Sequence, residues 1–120
     1  MSEVSFPIRR ANPRFLFSAD AEAVLPDGRS LAAQVFELSL RGCYIDTIEP
    51  LAVGSRLSLL ISKGKNFCEL SAKVIYLQAG FGLGVYGMGV VFEDIPREDR
   101  LIVETWLDEL ARGVIENIAD

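Results

Sequence analysis

The alternation of apolar and polar residues in the stretch FCELSAKVIYLQ restricts the fold of this chain more than any other sequence feature. Cys68, Leu70, Ala72, Val74 and Tyr76 fall on one face of this stretch, and the first residues between them are polar. A period of two is the period of a β-strand, and it is typical of a sheet with one packed face and one face in water. The sequence therefore predicts an amphipathic strand with these five residues on the packed side.

Several other short stretches have strand character, and turn residues separate them. Segments 21–25 and 30–38 flank the sequence Pro-Asp-Gly-Arg, a strong turn signal, so they are predicted to form a hairpin. Segments 43–47, 56–62 and 88–94 are further candidate strands. Five to seven short strands without helices between them predict a small antiparallel β-barrel.

The C-terminal part of the chain changes to the period of a helix. From Pro96 onward, Ile102, Trp106 and Leu110 recur at intervals of four residues, and a proline in the first turn is typical of a helix start. We predict a helix over about 96–117. Its apolar stripe is expected to pack on the barrel, and the alternative is a stripe that binds a partner or a second copy of the chain.

The composition excludes several classes of function. The chain contains no histidine, which is the commonest general base and metal ligand, and it carries no recognisable catalytic constellation. Cys43 and Cys68 do not form a CxxC pair, so no zinc site is indicated and each is predicted to be a buried free thiol. We therefore expect a protein that is not an enzyme and that has no catalytic residue, metal site or cofactor.

Charge and hydropathy narrow the possible partners and location. A net charge of -5 and a pI near 4.7 argue against DNA or RNA as a partner, because affinity for phosphate backbones depends on a basic face. The N-terminus lacks the apolar run of a secretory signal, and no stretch is apolar over the roughly 18 residues of a membrane span. The sequence favours one cytoplasmic domain without membrane insertion, either a monomer or a homodimer.

A glycine-rich segment imitates a nucleotide-binding turn. Gly82, Gly84 and Gly87 have the GxGxxG spacing of a dinucleotide fingerprint, which requires a strand before it and a helix after it. Another predicted strand follows here, and the chain is too short for a Rossmann domain. We interpret these glycines as part of a hairpin loop.

Three arginines lie close together near the N-terminus of this acidic chain. Arg9, Arg10 and Arg14 fall within six residues, and the last two form an RxxxR pattern. A guanidinium fork can pair with phosphate oxygens or with O6 and N7 of guanine, and its flat face can stack on a purine. The cluster is consistent with a clamp for a small anionic ligand or, alternatively, with a solvated basic arm.

A second motif follows the second predicted strand. In ELSLRGCYI, Glu37, Ser39 and Gly42 have an acid-x-Ser-x-x-Gly spacing. Together with RxxxR and the barrel pattern, these residues resemble the PilZ domain family, which carries RxxxR followed by [Asp/Asn]-x-Ser-x-x-Gly. The segments LAVGSRLSLLI and GMGVVFEDI are similar to further parts of that family. The resemblance extends over about residues 8–110.

The resemblance implies a mainly β fold and a ligand. The fold is a small six-stranded antiparallel β-barrel with a C-terminal helix, and the ligand is cyclic di-GMP, a bacterial second messenger. The implied organisation is a single-domain member with a flexible leader over 1–15, which carries RxxxR, and a barrel with its helix over 16–120. Arg10 and Arg14 match the arginines of the family, and Arg9 is a plausible third contact.

Glu37, Ser39 and Gly42 complete the implied ligand site. The carboxylate is suited to the N–H edge of guanine, the hydroxyl to a hydrogen bond with the ligand, and the glycine to close approach and a tight turn. Glu37 departs from the family pattern, and its extra methylene either displaces a hydrogen bond or is accommodated by a small shift of the loop. Arg41 stands where many relatives have glycine, and it either adds a contact or is simply exposed.

The implied function is that of a receptor. Closure of the leader over the ligand would change the conformation, and an unidentified effector protein would read the change. The alternative is a PilZ-like adaptor that no longer binds the nucleotide, because of Glu37, and acts through protein contact alone. Both one nucleotide and a stacked pair remain compatible with the sequence.

Overall fold

A computed structural model of the chain describes residues 13–81 and 85–113. Within this part the protein is a six-stranded antiparallel β-barrel with one C-terminal helix, which confirms the predicted mainly β fold. The elements are β1 (Phe15–Val24), β2 (Ser30–Leu38), β3 (Gly42–Thr47), β4 (Arg56–Lys63), β5 (Asn66–Ala79), β6 (Tyr86–Glu93) and α1 (Arg97–Ala111).

The strand order explains which sequence segments become neighbours. The barrel closes in the order β1-β2-β3-β6-β5-β4, and every pairing is antiparallel. β3 therefore lies between β2 and β6 rather than beside β4. In this register Gly42, at the start of β3, pairs with Val91 of β6. The β2–β3 turn is thus brought next to the last two strands of the sheet.

The interior of the barrel follows the alternation of the sequence closely. Leu57, Leu59 and Ile61 of β4 are buried, and so are Met88 and Val90 of β6. Alternate side chains of a strand point to one face, so these residues fill the barrel while their neighbours point outward. The core consists of side chains from all six strands and α1.

One predicted core residue lies outside the barrel. Cys68, Leu70, Ala72 and Val74 are fully buried as predicted, but Tyr76 is 36% exposed. The cause is a β-bulge in β5, where the register with β6 shifts between Val74 and Tyr76. A bulge adds one residue to one strand and so reverses the faces of the residues that follow it. The prediction that Tyr76 shares the packed face was wrong.

The helix packs on the barrel, as the first of the two alternatives proposed. Val103, Trp106 and Leu110 are buried, whereas Ile102 is only half-buried, so the packed face is rotated slightly from the predicted stripe. The ring of Trp106 lies 5.3 Å from that of Phe17 on β1. The helix ends at Ala111, before a glycine with positive φ, and the predicted end at 117 lies outside the described residues.

No helix in the described ranges is long and apolar enough to cross a membrane.

Both cysteines are free and buried, as predicted. Burial raises the pKa of the Cys68 thiol to about 12 and raises the pKa of Cys43 further. A thiol that keeps its proton at neutral pH is a poor nucleophile and a poor metal ligand. The two cysteines therefore serve as small apolar core residues.

Candidate functional site

The β2–β3 turn is held together by the serine of the second motif. The Ser39 hydroxyl accepts hydrogen bonds from the backbone N–H groups of Arg41 and Gly42, at 3.2 Å each, and donates to the Gly42 carbonyl at 3.1 Å. Ser39 is buried, with only 7% of the residue exposed. The hydroxyl therefore fixes the turn from within, and a direct contact of Ser39 with a ligand stays a prediction.

Gly42 is required by the close approach of two strands. A Cβ atom at this position would overlap the carbonyl oxygen of Val90 in the neighbouring β6. On the other side of the turn, the Arg41 carbonyl accepts a hydrogen bond of 2.8 Å from the backbone N–H of Phe92. The glycine thus permits β6 to bind the turn tightly, which fixes the backbone on which Arg41 stands.

An arginine of the first motif meets the acid of the second. Arg14 lies directly before β1, and its Nη1 is 3.4 Å from Oε1 of Glu37 on β2. The side chains are 40% and 31% exposed, so this ion pair is worth at most about 1 kcal/mol and is readily exchanged for another partner. Arg9 and Arg10, the other predicted arginines, lie outside the described residues.

These residues meet in a cleft on the outer surface of the barrel, which we call the arginine cleft. Its volume is about 160 Å³, and Glu37 borders it through its ion pair with Arg14. Pockets that enclose a small molecule usually measure about 300–1,000 Å³, so the cleft is suited to hold one edge of a ligand that lies on the surface. Among the residues that line the cleft are Arg14, Ser39, Arg41, Gly42, Tyr76 and Gly89.

Two residues of the arginine cleft escaped the sequence reasoning. Tyr76 of β5 and Gly89 of β6 pair across the two strands and line the floor of the cleft. Regular alternation placed Tyr76 inside the barrel, and only the bulge after Val74 turns it outward. No local sequence signal marks that bulge, because the additional residue is defined by its register with β6.

A model of the PilZ domain matches residues 8–109, which is most of the chain. The chain belongs to the PilZ domain family. PilZ domains are nucleotide-binding receptor domains and not enzymes, in agreement with the expectation from the sequence. The arginine cleft joins residues from both motifs of the family, since Arg14 comes from the first and Ser39 and Gly42 come from the second.

Solved structures share the PilZ fold with this chain at low sequence identity. The PilZ domain of YcgR from Escherichia coli, solved with cyclic di-GMP, has a TM-score of 0.73 at 16% identity, over 89% of this chain and 95% of that one. The complex of K. pneumonia MrkH with cyclic di-GMP has a TM-score of 0.74 at 17% identity, over 89% of this chain and 54% of that one. The inhibitor of motility MotI/DgrA from Bacillus subtilis has a TM-score of 0.73 at 15% identity, over 88% and 52%.

The extent of these matches differs between isolated domains and longer proteins. The chain spans about half the length of the longer YcgR, MrkH and MotI/DgrA chains that it resembles. A comparison with curated protein sequences gives no significant match. The likeness of this PilZ domain to known structures is therefore a likeness of fold.

At the opposite end of β3, a buried carboxylate holds a loop. Asp46 is 5% exposed, and its Oδ2 accepts a hydrogen bond of 2.8 Å from the backbone N–H of Phe81 in the β5–β6 connection. The ring of Phe81 packs edge-on against Tyr44, at 5.2 Å between centroids. We call Tyr44, Asp46 and Phe81 the hairpin anchor.

The hairpin anchor also accounts for one of the three glycines of the GxGxxG segment. Gly87 belongs to β6 rather than to a loop, and a Cβ atom there would overlap the hydroxyl of Tyr44. Gly82 and Gly84 lie outside the described residues. The interpretation of all three as loop glycines was wrong for Gly87, because the tyrosine of the neighbouring strand occupies the space above it.

Proposed function

We propose that this PilZ domain is a cyclic di-GMP receptor that binds its ligand at the arginine cleft. The observation that carries the proposal is the convergence of Arg14, Arg41 and the Ser39–Gly42 turn on one small cleft. Arg14, the last residue of RxxxR, lines this cleft and directly precedes β1. The solved complexes of YcgR and MrkH with cyclic di-GMP, which share the fold, support the choice of ligand.

The chemistry of the cleft suits a cyclic dinucleotide. Two guanidinium groups can pair with phosphate oxygens or with the O6 and N7 edge of guanine, and Glu37 can accept hydrogen bonds from the N–H edge. The protein as a whole is acidic, so this local pair of cations favours a small anion over a long nucleic acid. Arg10 and Arg9 would add further cations from the leader over 1–15.

Ligand binding would exchange partners of an existing ion pair. Arg14 contacts Glu37 in the structure, and a phosphate or guanine would take over one of these groups. Because the pair is partly exposed, the exchange costs little, and the leader can close over the ligand. A ligand shifts this equilibrium only by its higher affinity for the closed state. We propose that an effector protein in the bacterial cytoplasm reads the closed leader.

One observation favours a second candidate function, an adaptor that binds no nucleotide. Glu37 already neutralises Arg14 at 3.4 Å, and its longer side chain replaces the Asp or Asn of the family motif. If this pair were stronger than the ligand contacts, the cleft would stay closed to anions. The domain would then act through protein contact alone.

Calorimetric titration with cyclic di-GMP, with GTP as the control nucleotide, tests both candidates. The receptor proposal expects micromolar or tighter binding by the native chain and about 10- to 150-fold weaker binding by Arg10→Ala and by Arg14→Ala, because each removes a hydrogen-bonded charge worth about 1.5–3 kcal/mol. Arg29→Ala is the matched control, since Arg29 is also exposed and paired with carboxylates but lies in the β1–β2 turn.

The outcomes separate the two candidates. Unchanged affinity in both leader variants would contradict the proposed contacts. Binding by Glu37→Asp but not by the native chain would mean that the additional methylene closes the site. Absence of binding by both would favour the adaptor.

A further inference from the structure

The ring of Tyr76 lies flat on the floor of the arginine cleft. A Cβ atom built on Gly89 would overlap three adjacent ring atoms of Tyr76, namely Cδ2, Cε2 and Cζ. Its position is almost directly above Cε2, at similar distances from the two neighbouring atoms, which is the arrangement of a ring approached face-on and not edge-on. One face of the phenol ring therefore covers the backbone of Gly89.

The other face of the ring points away from the barrel. Tyr76 is 36% exposed and its neighbour Ile75 is 50% exposed, because the bulge in β5 turns Tyr76 to the outer side on which Ile75 already lies. In the described ranges, no aromatic ring and no cation stacks on Tyr76. The ring shares the cleft with Arg14 and Arg41, so an open aromatic surface lies beside two guanidinium groups.

We propose that the outer face of Tyr76 is a stacking platform for one purine base of the ligand. This inference rests on the proposed binding of cyclic di-GMP and assigns it a contact outside both sequence motifs. Every base has a π-face, and stacking on an aromatic side chain gives affinity without reading the base edge. Arg14 and Arg41 are then free to pair with the phosphates or with the edge of the stacked guanine.

The division of labour within the arginine cleft follows from this geometry. The ring supplies apolar area and orientation, whereas the arginines and Glu37 supply the polar contacts that select guanine. A ligand with two bases and two phosphates gains most from such a site, because Tyr76 holds one base while Arg14 and Arg41 engage the remaining polar groups. The affinity for a guanosine mononucleotide should therefore be much lower than that for the cyclic dinucleotide.

A purely structural role for Tyr76 makes a different prediction. Aromatic side chains often cover a glycine on the neighbouring strand, and any large apolar residue could serve in that role. Tyr76→Leu keeps the cover of Gly89 but removes the π-face, whereas Tyr76→Phe keeps both. The two substitutions thus separate stacking from packing, and Tyr86→Leu is the matched control at an exposed tyrosine (43%) that lies outside the cleft.

Calorimetric titration with cyclic di-GMP, together with thermal melting of each variant, tests the platform. We expect Tyr76→Leu to weaken binding about 10- to 100-fold. Tyr76→Phe should bind within about threefold of the native chain, and Tyr86→Leu should bind as the native chain does. In spectra of protein with 13C-labelled tyrosine, the Tyr76 ring signals should shift upfield on binding.

Two results would overturn the proposal in distinguishable ways. If the native chain binds and Tyr76→Leu binds equally well, the platform is wrong while the receptor function stands. The same conclusion follows if the native chain binds and Tyr76→Phe loses as much affinity as Tyr76→Leu. If the native chain does not bind cyclic di-GMP at all, both the platform and the receptor function are wrong.

Discussion

The charged side chains near the two ends of β3 differ in exposure and in what they bind, although both ends belong to the outer face of the barrel. At the first end lies the arginine cleft, where Arg14 and Glu37 are 40% and 31% exposed and touch at 3.4 Å. At the second end lies the hairpin anchor, where Asp46 is 5% exposed and binds the backbone of the β5–β6 connection at 2.8 Å. Charged side chains occur at both ends, but only the second end is covered by a loop.

The difference shows how one strand can carry both a site and a structural joint. At the hairpin anchor, a carboxylate is largely buried, and its Oδ2 fixes a loop. In the described part of the chain its Oδ1 has no hydrogen-bond partner, which makes burial of this charge costly. At the arginine cleft, the charged groups of Arg14 and Glu37 are partly exposed and weakly paired, which leaves them available for exchange.

Gly42→Ala should have the largest effect, because it acts on the backbone beneath the cleft. The new Cβ would meet the carbonyl of Val90, which cannot move without displacing β6. We expect the free energy of unfolding in urea to fall by about 3 kcal/mol, the upper part of the usual range for overpacking. Gly89→Ala is the matched control, since its Cβ would meet the side chain of Tyr76, which can rotate away. Equal losses of unfolding free energy in Gly42→Ala and Gly89→Ala would show that the mobility of the group met by the new Cβ does not determine the destabilisation.

Asp46→Ala should have an intermediate effect, confined to the hairpin anchor. It leaves the backbone N–H of Phe81 without an acceptor, and we expect a loss of about 1–3 kcal/mol in unfolding free energy and faster hydrogen exchange of that amide. Asp46→Asn keeps an acceptor and removes the buried charge. Its free energy of unfolding should therefore not fall more than about 1 kcal/mol below that of the native chain. If Asp46→Ala were as stable as the native chain, the hydrogen bond to Phe81 would not stabilise the hairpin anchor. The two ends of β3 would then not differ in this respect.

Glu37→Gln should have the smallest effect on stability. It breaks a partly exposed ion pair, so the unfolding free energy should change by no more than about 1 kcal/mol, and the difference should shrink as salt screens the pair. Glu104→Gln, which breaks the exposed pair with Arg100 on α1, is the matched control. A loss of several kcal/mol that salt leaves unchanged would mean that the cleft is as firmly closed as the hairpin anchor.

Much of the fold was predictable because it depends on local patterns. The alternation around Leu57 and Leu70 depends only on neighbours in the sequence, and so does the helical period around Trp106. The two motifs likewise led to Arg14, Ser39 and Gly42, which the structure brings into one cleft. Residue type and spacing were sufficient for these features.

The remaining features depend on contacts between segments distant in the sequence. The bulge that turns Tyr76 outward is defined by its register with β6, and the burial of Asp46 depends on a connection 35 residues later in the chain. Ser39 belongs to a recognised motif, yet its hydroxyl is used within the turn, which a spacing pattern does not reveal. Sequence patterns therefore located the cleft, and tertiary contacts defined its floor.

Closure of the barrel restricts how another protein can recognise this domain. In the part of the chain that the structure describes, each strand pairs with a neighbour on both sides, because β1 pairs with β4. A sheet edge is where an extended peptide adds as a further strand, and this ring has none to offer. A protein that binds the described part of this barrel would therefore contact side chains on its outside and would not add a strand. If cyclic di-GMP binds as proposed, it would rearrange side chains on this outer surface while the strands stay paired, and a partner that contacts the surface would be sensitive to the occupied cleft.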